Sequence, residues 1–413
     1  MQHAFFNLAS PTEFAELLQG FAPVGVEPVS LANAHNRVLA EDLLSPEDLP
    51  PAPRSCMDGY AVRAADLFGA SESNPGYLDC VAQIAIDKAP EFVLAPGQCA
   101  AIPTGGVLPQ GADAVAMVEH AHELGAGGVE FFKSLTPTEN VMLQGEDAAI
   151  GQLALERGRR LRSPEIGLLA GLGALRFTVH KTPRVAILST GDELAPPEAA
   201  PKPGQVRDVN SLALACLVAE AQAEPIPLGI VKDEFDSLRA ALAQALERSD
   251  CVLISGGSSI GLRDLTVQVL ESLPESRILA HGVAISPGKP TILAEVAGKP
   301  VLGLPGQVTS AQIVLLVFGQ PLLRHLAGET NAFDPARRPV RTAVLAQNLA
   351  SKPGREDYVR VRLEARENEP PLAWPLAGKS GLLKTLVQAH GLIRVPANRE
   401  GLRSGAPLDV WML

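Results

Sequence analysis

Residues 183–198 read Pro-Arg-Val-Ala-Ile-Leu-Ser-Thr-Gly-Asp-Glu-Leu-Ala-Pro-Pro-Glu, and residues 251–264 read Cys-Val-Leu-Ile-Ser-Gly-Gly-Ser-Ser-Ile-Gly-Leu-Arg-Asp. Each opens on a short apolar run, Val185–Leu188 or Cys251–Ser255, that breaks into glycine, hydroxyl and carboxylate residues. Such runs bounded by turn residues predict strands buried on both faces. Helical spacing follows each strand. Asp208–Ala221 comes after the first, Asp236–Glu247, capped by Asp236, after a strand at Pro225–Val231, Leu265–Leu273 after the Cys251 strand, and Thr309–Leu326 after Val301–Leu304. This alternation predicts a doubly wound, mostly parallel α/β domain over residues 183–333.

Ligands of such a sheet sit beyond the carboxyl ends of its strands. The loops there are Ser189-Thr190-Gly191-Asp192-Glu193, Asp233-Glu234, and Gly256-Gly257-Ser258 followed by Gly261 and Asp264. Glycines and hydroxyls near helix N-termini offer donors to a phosphate. Carboxylates repel a phosphate but suit Mg²⁺, which binds through one or two of them plus phosphate oxygens. Together the loops point to a phosphorylated ligand with a divalent metal. Taken singly, Gly256-Gly257-Ser258 reads as a tight strand–helix turn and Asp264 as a helix cap. Lys289, in the rigid turn Ser286-Pro287-Gly288-Lys289-Pro290, is a point charge for an oxyanion. Thr309 or Ser310 is expected to cap the next helix and set N–H donors beside that lysine.

Working outward, residues 49–145 alternate short apolar runs with Gly/Pro turns and predict an inserted β domain. Residues 1–48 and 146–182 predict a helical domain. Its helices are expected at 12–20, capped by Thr12, at 30–42, capped by Ser30, and after a Ser163 cap. Four short strands at Val340–Leu345, Tyr358–Leu363, Leu392–Pro396 and Leu408–Met412 predict a C-terminal β-barrel over residues 334–413.

Composition excludes several classes. A length of 413 residues implies several domains, and 46% hydrophobic with 20% charged residues is the make-up of folded domains. The net charge of −11 disfavours nucleic acid and anionic membranes, so an anionic ligand needs a local cationic pocket. Five scattered cysteines without a CxxC predict free thiols in a reducing compartment. With no apolar run of spanning length and no signal-like start, the chain reads as cytoplasmic. No GxSxG or HExxH is present, and Cys56 has no histidine close in sequence.

The motifs, in order, resemble the molybdopterin molybdenumtransferase family, the MoeA type that includes the gephyrin E domain. The matching residues are Ser55-x-x-Asp58-Gly59-Tyr60-Ala61-Val62, Thr104-Gly105-Gly106 with Gly111-Ala112-Asp113-Ala114-Val115, and Gly145-Glu146-Asp147. They continue through Ser189–Leu194, Asp208-Val209-Asn210-Ser211, Ser255–Ser258 with Gly261 and Asp264, Pro287–Pro290 and Leu304-Pro305-Gly306, to Gly354-Arg355 and Ser380-Gly381. The resemblance implies a four-part subunit in which residues 1–48 and 146–182 form the linking and dimerisation domain, a homodimer, and the insertion of molybdate or tungstate into adenylylated molybdopterin with Mg²⁺-dependent release of AMP. It assigns Asp58, Glu193, Asp233 and Asp264 to catalysis, the last three as Mg²⁺ ligands. It assigns Thr104, Ser189, Thr190, Gly191, Gly256, Gly257 and Ser258 to substrate binding. Lys289, Ser310, Arg355 and Ser380 fall to molybdate, as a donor cluster with no acidic neighbour. It sets Asp58 and Thr104 across the dimer interface, and it implies handover with molybdopterin adenylyltransferase and with molybdoenzymes.

Three departures cluster near these sites. Ser286 stands where the family has a lysine. Gln307 and Val308 replace an asparagine and a proline. Leu262 replaces an acidic residue, with Arg263 beside it. They are compatible with a tungstate-specialised paralogue or a degenerate copy. Two other readings therefore stand beside the transferase: a dimeric molybdopterin-binding scaffold without turnover, and molybdopterin adenylyltransferase.

Overall fold

The computed structural model describes residues 8–256 and 260–413, with backbone alone for 260–264. Its central sheet has six strands in the order Glu224–Val231, Arg184–Thr190, Cys251–Gly256, Lys299–Pro305, Ile292–Val296, Ser276–His281. The first four run parallel, and Ile292–Val296 runs antiparallel to both of its neighbours. Side chains alternate between two cores. Val185, Ile187, Leu253 and Leu302 pack with helix Asn210–Glu220 and the helix that begins at Val308. Ala186, Leu188, Val252 and Ile254 pack with helices Phe235–Arg248 and Ile260–Glu271. Ile187 and Leu188 are fully buried, each contributing about 1.5–3 kcal/mol through burial. The doubly wound reading is borne out.

The antiparallel edge was not legible. Ile292–Val296 and Lys299–Pro305 form a hairpin through Ala297 and Gly298, both at positive φ. That turn favours Asn-Gly. Alanine in its first position hides the signal.

The expected Thr309–Leu326 helix forms as Val308–Val314, a π turn at Leu315–Gly319, and Gln320–Leu326. Pro321 has no N–H to give the carbonyl of Val317, and the Arg338 guanidinium donates to that carbonyl at 2.5 Å. Arg338 also lies 4.3 Å from the Trp411 ring, so the helix is tied to the last strand of the chain.

The expected 30–42 helix does not form; only Leu31–Asn33 make a 3-10 turn. The amides of Asn36 and Leu39 instead donate to the carbonyls of Leu161 and Arg159, and the amide of Ala40 to Thr178. Non-local backbone pairing outweighs helical spacing there. Three caps also shift. Ser10, not Thr12, caps helix Pro11–Gln19. Glu234 occupies the cap position ahead of Asp236. Ser163 is the first helical residue of Ser163–Gly171, preceded by Arg162. Helix Pro11–Gln19 buries Phe14 and Leu18 in the α/β core, Phe14 lying edge-on to Phe318 at 5.0 Å.

Between residues 22 and 182, strand Val26–Ser30 pairs with Arg176–His180, and Leu43–Leu44 with Leu153–Leu155, around Leu39, Leu161, Leu169 and Val179. Within that unit Glu165 is 3% exposed and bonded by Arg159 and Arg162 at 2.8 and 2.9 Å. Hydrogen bonding from Arg162, then from Arg159, outweighs burial and pulls its pKa down to about 2. A depressed carboxylate contributes stability above its unfolded pKa, and that contribution fades as pH falls from about 4.5 toward 2. At pH 7 it amounts to about 3 kcal/mol at most. Glu165→Gln is therefore expected to lower unfolding stability by about 2 kcal/mol at pH 7 and by much less near pH 3. Denaturant titration at both pH values checks this; an equal loss at both would refute the charge argument.

Residues 59–131 form a six-stranded sheet in the order Ala114–Met117, Gly59–Val62, Gln98–Ile102, Gly76–Gln83, Gly128–Phe131, Ala121–Gly125. Near the C-terminus, Glu356–Arg366, Glu369–Pro375, Val340–Leu345, Pro407–Met412 and Gly391–Val395 close on themselves as a five-stranded barrel filled by Leu345, Val361, Ile393 and Val410. A sixth, two-residue strand joins it from outside. Ile285–Ser286 of the α/β unit pairs in parallel with Glu356 and Asp357.

Candidate active site

That two-residue pairing sets the site. It lays the turn carrying Lys289 beside the barrel strand that follows Arg355, and a cavity of about 360 Å³ opens between them. Lys289, Ser310, Arg355 and Ser380, the four residues expected to hold an oxyanion, all line it, as do Gly256, Ser286 and Gln307. The turn is shaped by Gly288 at φ +119°. A Cβ there would lie 2.5 Å from Val314 Cγ2, so only glycine fits. The Gly288 carbonyl accepts the Thr291 hydroxyl at 2.7 Å. Lys289 itself is exposed, and no described carboxylate pairs with it.

The expectation of no acidic neighbour is overturned. Asp357, 7% exposed, lies with Oδ1 2.9 Å from Arg355 Nε and accepts the Ser351 hydroxyl at 2.8 Å. Arg355 is thereby oriented and partly neutralised. Arg355 lies just ahead of strand Glu356–Arg366 and two residues before Asp357, and that close spacing was a signal available in the sequence.

The helix end also differs from expectation. Neither Thr309 nor Ser310 caps it; Gln307 stands at the cap position without a side-chain cap bond. The Thr309 amide and hydroxyl both donate to the Ser380 carbonyl, at 3.1 and 2.6 Å, and the amides of Ser310 and Ala311 donate to Gln307. These amides are engaged, so the Ser310 hydroxyl is what the helix offers the cavity. The Ser380 hydroxyl donates to Gln307 Oε1, binding the barrel segment to the α/β unit. On the other side Asn210 Nδ2 donates to the Gly306 carbonyl at 3.0 Å. Its register comes from Asp208, a buried carboxylate that accepts the amides of Asn210 and Ser211.

The carboxylates assigned to catalysis occupy a different part of the same edge. Asp233 accepts the hydroxyl of Thr190, and its Oδ2 accepts the Asp192 amide at 3.4 Å. Glu193 is exposed beside them, and Ser189 is buried with its hydroxyl 3.3 Å from that of Ser255. Thr190 pairs in the ladder with Gly256, which lines the cavity, and Gly191 follows directly. A Cβ on Gly256 would meet the Thr190 carbonyl at 2.3 Å, so glycine is required at this contact too. Strands at about 4.8 Å spacing put the Asp233 end of this row roughly 14 Å from the Pro305 end. Gly257 and Ser258 lie outside the described residues, as does the side chain of Asp264. Among the described residues no three carboxylates, histidines or cysteines gather as a metal-ligand group.

Asp58 and Thr104 sit together on the inserted β unit. The Thr104 amide and hydroxyl donate to Asp58 Oδ1 at 2.7 and 2.9 Å, which holds that carboxyl below the usual carboxylate range. Both are exposed, and neither lines the cavity of its own chain.

A row of strand-end loops that ends in a cationic, hydroxyl-lined cavity is the arrangement of an α/β protein handling an anionic small molecule. Family models match nearly the whole chain: the MoeA N-terminal region (domains I and II) over residues 9–173, a probable molybdopterin binding domain over 186–325, and the MoeA C-terminal region (domain IV) over 342–413. The molybdopterin molybdenumtransferase of Nostoc is 34% identical, with 100% of this chain and 95% of that one covered. Molybdopterin molybdenumtransferase 2 of Mycobacterium tuberculosis is 33% identical, with 97% of each covered. A solved molybdopterin biosynthesis MoeA protein from Pyrococcus horikoshii is 28% identical with a TM-score of 0.82, over 98% of this chain and 100% of that one. The chain belongs to the molybdopterin molybdenumtransferase family of the MoeA type, whose place is in molybdenum cofactor biosynthesis. Among the described residues no helix is long and apolar enough to cross a membrane.

Proposed function

We propose that this protein inserts molybdate, or tungstate, into adenylylated molybdopterin and releases AMP, acting as a cytoplasmic homodimer. The observation that carries this reading is the gathering of Lys289, Ser310, Arg355 and Ser380 around one cavity at the end of a row of phosphate-type loops. The row's length of roughly 14 Å suits a substrate with an anionic linker at one end and a metal-accepting group at the other. Lys289 and Arg355 offset the charge of the oxyanion, the Ser310 hydroxyl donates to it, and Ser380, whose own hydroxyl is spent on Gln307, is the fourth residue we assign to its wall. Asp357 keeps Arg355 in register. Gly256, with Gly257 and Ser258, gives the substrate close approach to backbone donors. Ser189, Thr190 and Gly191 shape the neighbouring loop, and Thr190 keeps the Asp233 carboxylate in place.

The oxygen donors of Glu193 and Asp233, on neighbouring strand ends, fit a hard cation, and Asp264 is the third ligand we assign to Mg²⁺. When bound, Mg²⁺ would neutralise charge on the departing AMP phosphate. Asp58, held ionised by Thr104, completes the site from the other subunit. Adenylylated substrate is taken over from molybdopterin adenylyltransferase and the finished cofactor passed on to molybdoenzymes.

Single-turnover AMP release tests this, with adenylylated molybdopterin, Mg²⁺ and either oxyanion. Oxyanion-dependent release is expected. Ser286 favours a second reading, because it leaves Lys289 as the one cation in the cavity lining without a carboxylate partner among the described residues. A non-catalytic scaffold binds the pterin tightly but releases no AMP with either oxyanion. ATP-dependent adenylylation of molybdopterin would point instead to the adenylyltransferase.

A further inference from the structure

Arg360 lies on the barrel strand Glu356–Arg366 and is 8% exposed. Buried arginines are almost always paired with a carboxylate; this one is not. Its Nη1 donates to the Thr385 hydroxyl at 2.6 Å, its Nη2 to the Gly378 carbonyl at 3.1 Å, and its Nε has no partner among the described residues. Burial pushes its pKa down, and no described carboxylate opposes that.

The two acceptors bracket Ser380. Residues 378 and 385 pack closely, since a Cβ at Gly378 would come within 2.8 Å of Thr385 Cγ2. Arg360 thus grips both ends of the segment whose middle is docked on Thr309 and Gln307. Two residues of chain reach at most about 7 Å, so the guanidinium lies roughly 10 Å or less from Ser380.

We infer that Arg360 is a positioning residue for the oxyanion cavity: it holds the Ser380 segment against the α/β unit and lends the cavity a positive charge that no described carboxylate cancels. This rests on the cavity being the oxyanion site. The role fits the local charge balance. Asp357 offsets Arg355, and Ser286 adds no cation. A buried, unpaired guanidinium is a poor stability device, because desolvation opposes it and an apolar side chain of similar shape is often neutral or better.

Stability and affinity should therefore part company. Calorimetric titration of the full-length protein with tungstate or molybdate is the test, alongside thermal unfolding. Arg360→Met is expected to bind the oxyanion about tenfold more weakly, while its unfolding midpoint stays level or rises. Arg360→Lys, which keeps the charge and one donor, is expected to recover most of the affinity. Wild-type affinity in Arg360→Met overturns the inference, and so does failure of that variant to fold, which would make the arginine a structural keystone. Wild-type protein that is folded but binds neither oxyanion sinks the cavity reading, and this inference with it.

Discussion

Lys289→Ala is expected to weaken binding of molybdate or tungstate by about 10- to 100-fold, the range that follows when one hydrogen bond to a charged group is lost. The turn that presents Lys289 does not depend on its side chain. It is shaped by Pro287, Gly288 and Pro290 and held by Thr291 on the Gly288 carbonyl. Lys289 is exposed and pairs with no described carboxylate, so its removal leaves the fold and the unfolding midpoint alone. Its side chain lines the cavity and forms no ion pair with a described residue. Arg355 cannot substitute, because Asp357 lies 2.9 Å from its Nε and absorbs part of its charge. The converse change adds a cation at the neighbouring position: Ser286→Lys is expected to tighten oxyanion binding. Titration calorimetry on both variants decides the matter. Equal affinity in wild type and Lys289→Ala would mean that the cavity is not the oxyanion site.

What could be read in advance follows a physical pattern. Val185–Leu188 and Cys251–Ser255 were legible because strands buried on both faces are continuous apolar runs. Lys289, Ser310, Arg355 and Ser380 were legible as motif positions, and all four meet at one cavity. The bonds that make those positions a site were not. The Ser380–Gln307 contact and the double donation of Thr309 to the Ser380 carbonyl join residues about seventy positions apart, and local spacing carries no trace of them. The Ile285–Ser286 strand is too short for periodicity to detect. The 30–42 segment has helical spacing, yet its amides are claimed by residues 159–161 and 178. Asp357 is the one omission with a local signal, lying two residues after Arg355. Gln307 changes meaning once its contact is known. In the sequence it looks like a loss from the family pattern, whereas in the structure it receives the Ser380 hydroxyl and closes the cavity wall.

Mixing two inactive variants is expected to restore activity. Asp58 and Thr104 form an exposed pair on the inserted β unit and are absent from the cavity lining of their own chain. In a homodimer with the site shared across the interface, Asp58→Asn disables the site to which its subunit reaches out, and Lys289→Ala disables the site its subunit carries. A heterodimer of the two variants then holds one site with both defects and one with neither. Random reassortment gives heterodimers for about half of the dimers, so AMP release recovers to about a quarter of the wild-type rate. Each variant alone stays near background when the oxyanion is held below its wild-type dissociation constant, where a loss of affinity of about 10- to 100-fold silences Lys289→Ala. If instead each subunit supplies its own Asp58, every site in every dimer carries one defect and mixing restores nothing. The two outcomes differ by far more than assay error, and the readout is insensitive to modest losses of stability in either variant. Asp58→Asn suits this experiment because it preserves shape: the amide oxygen still accepts from the Thr104 amide and hydroxyl, so the pair survives while its charge is removed.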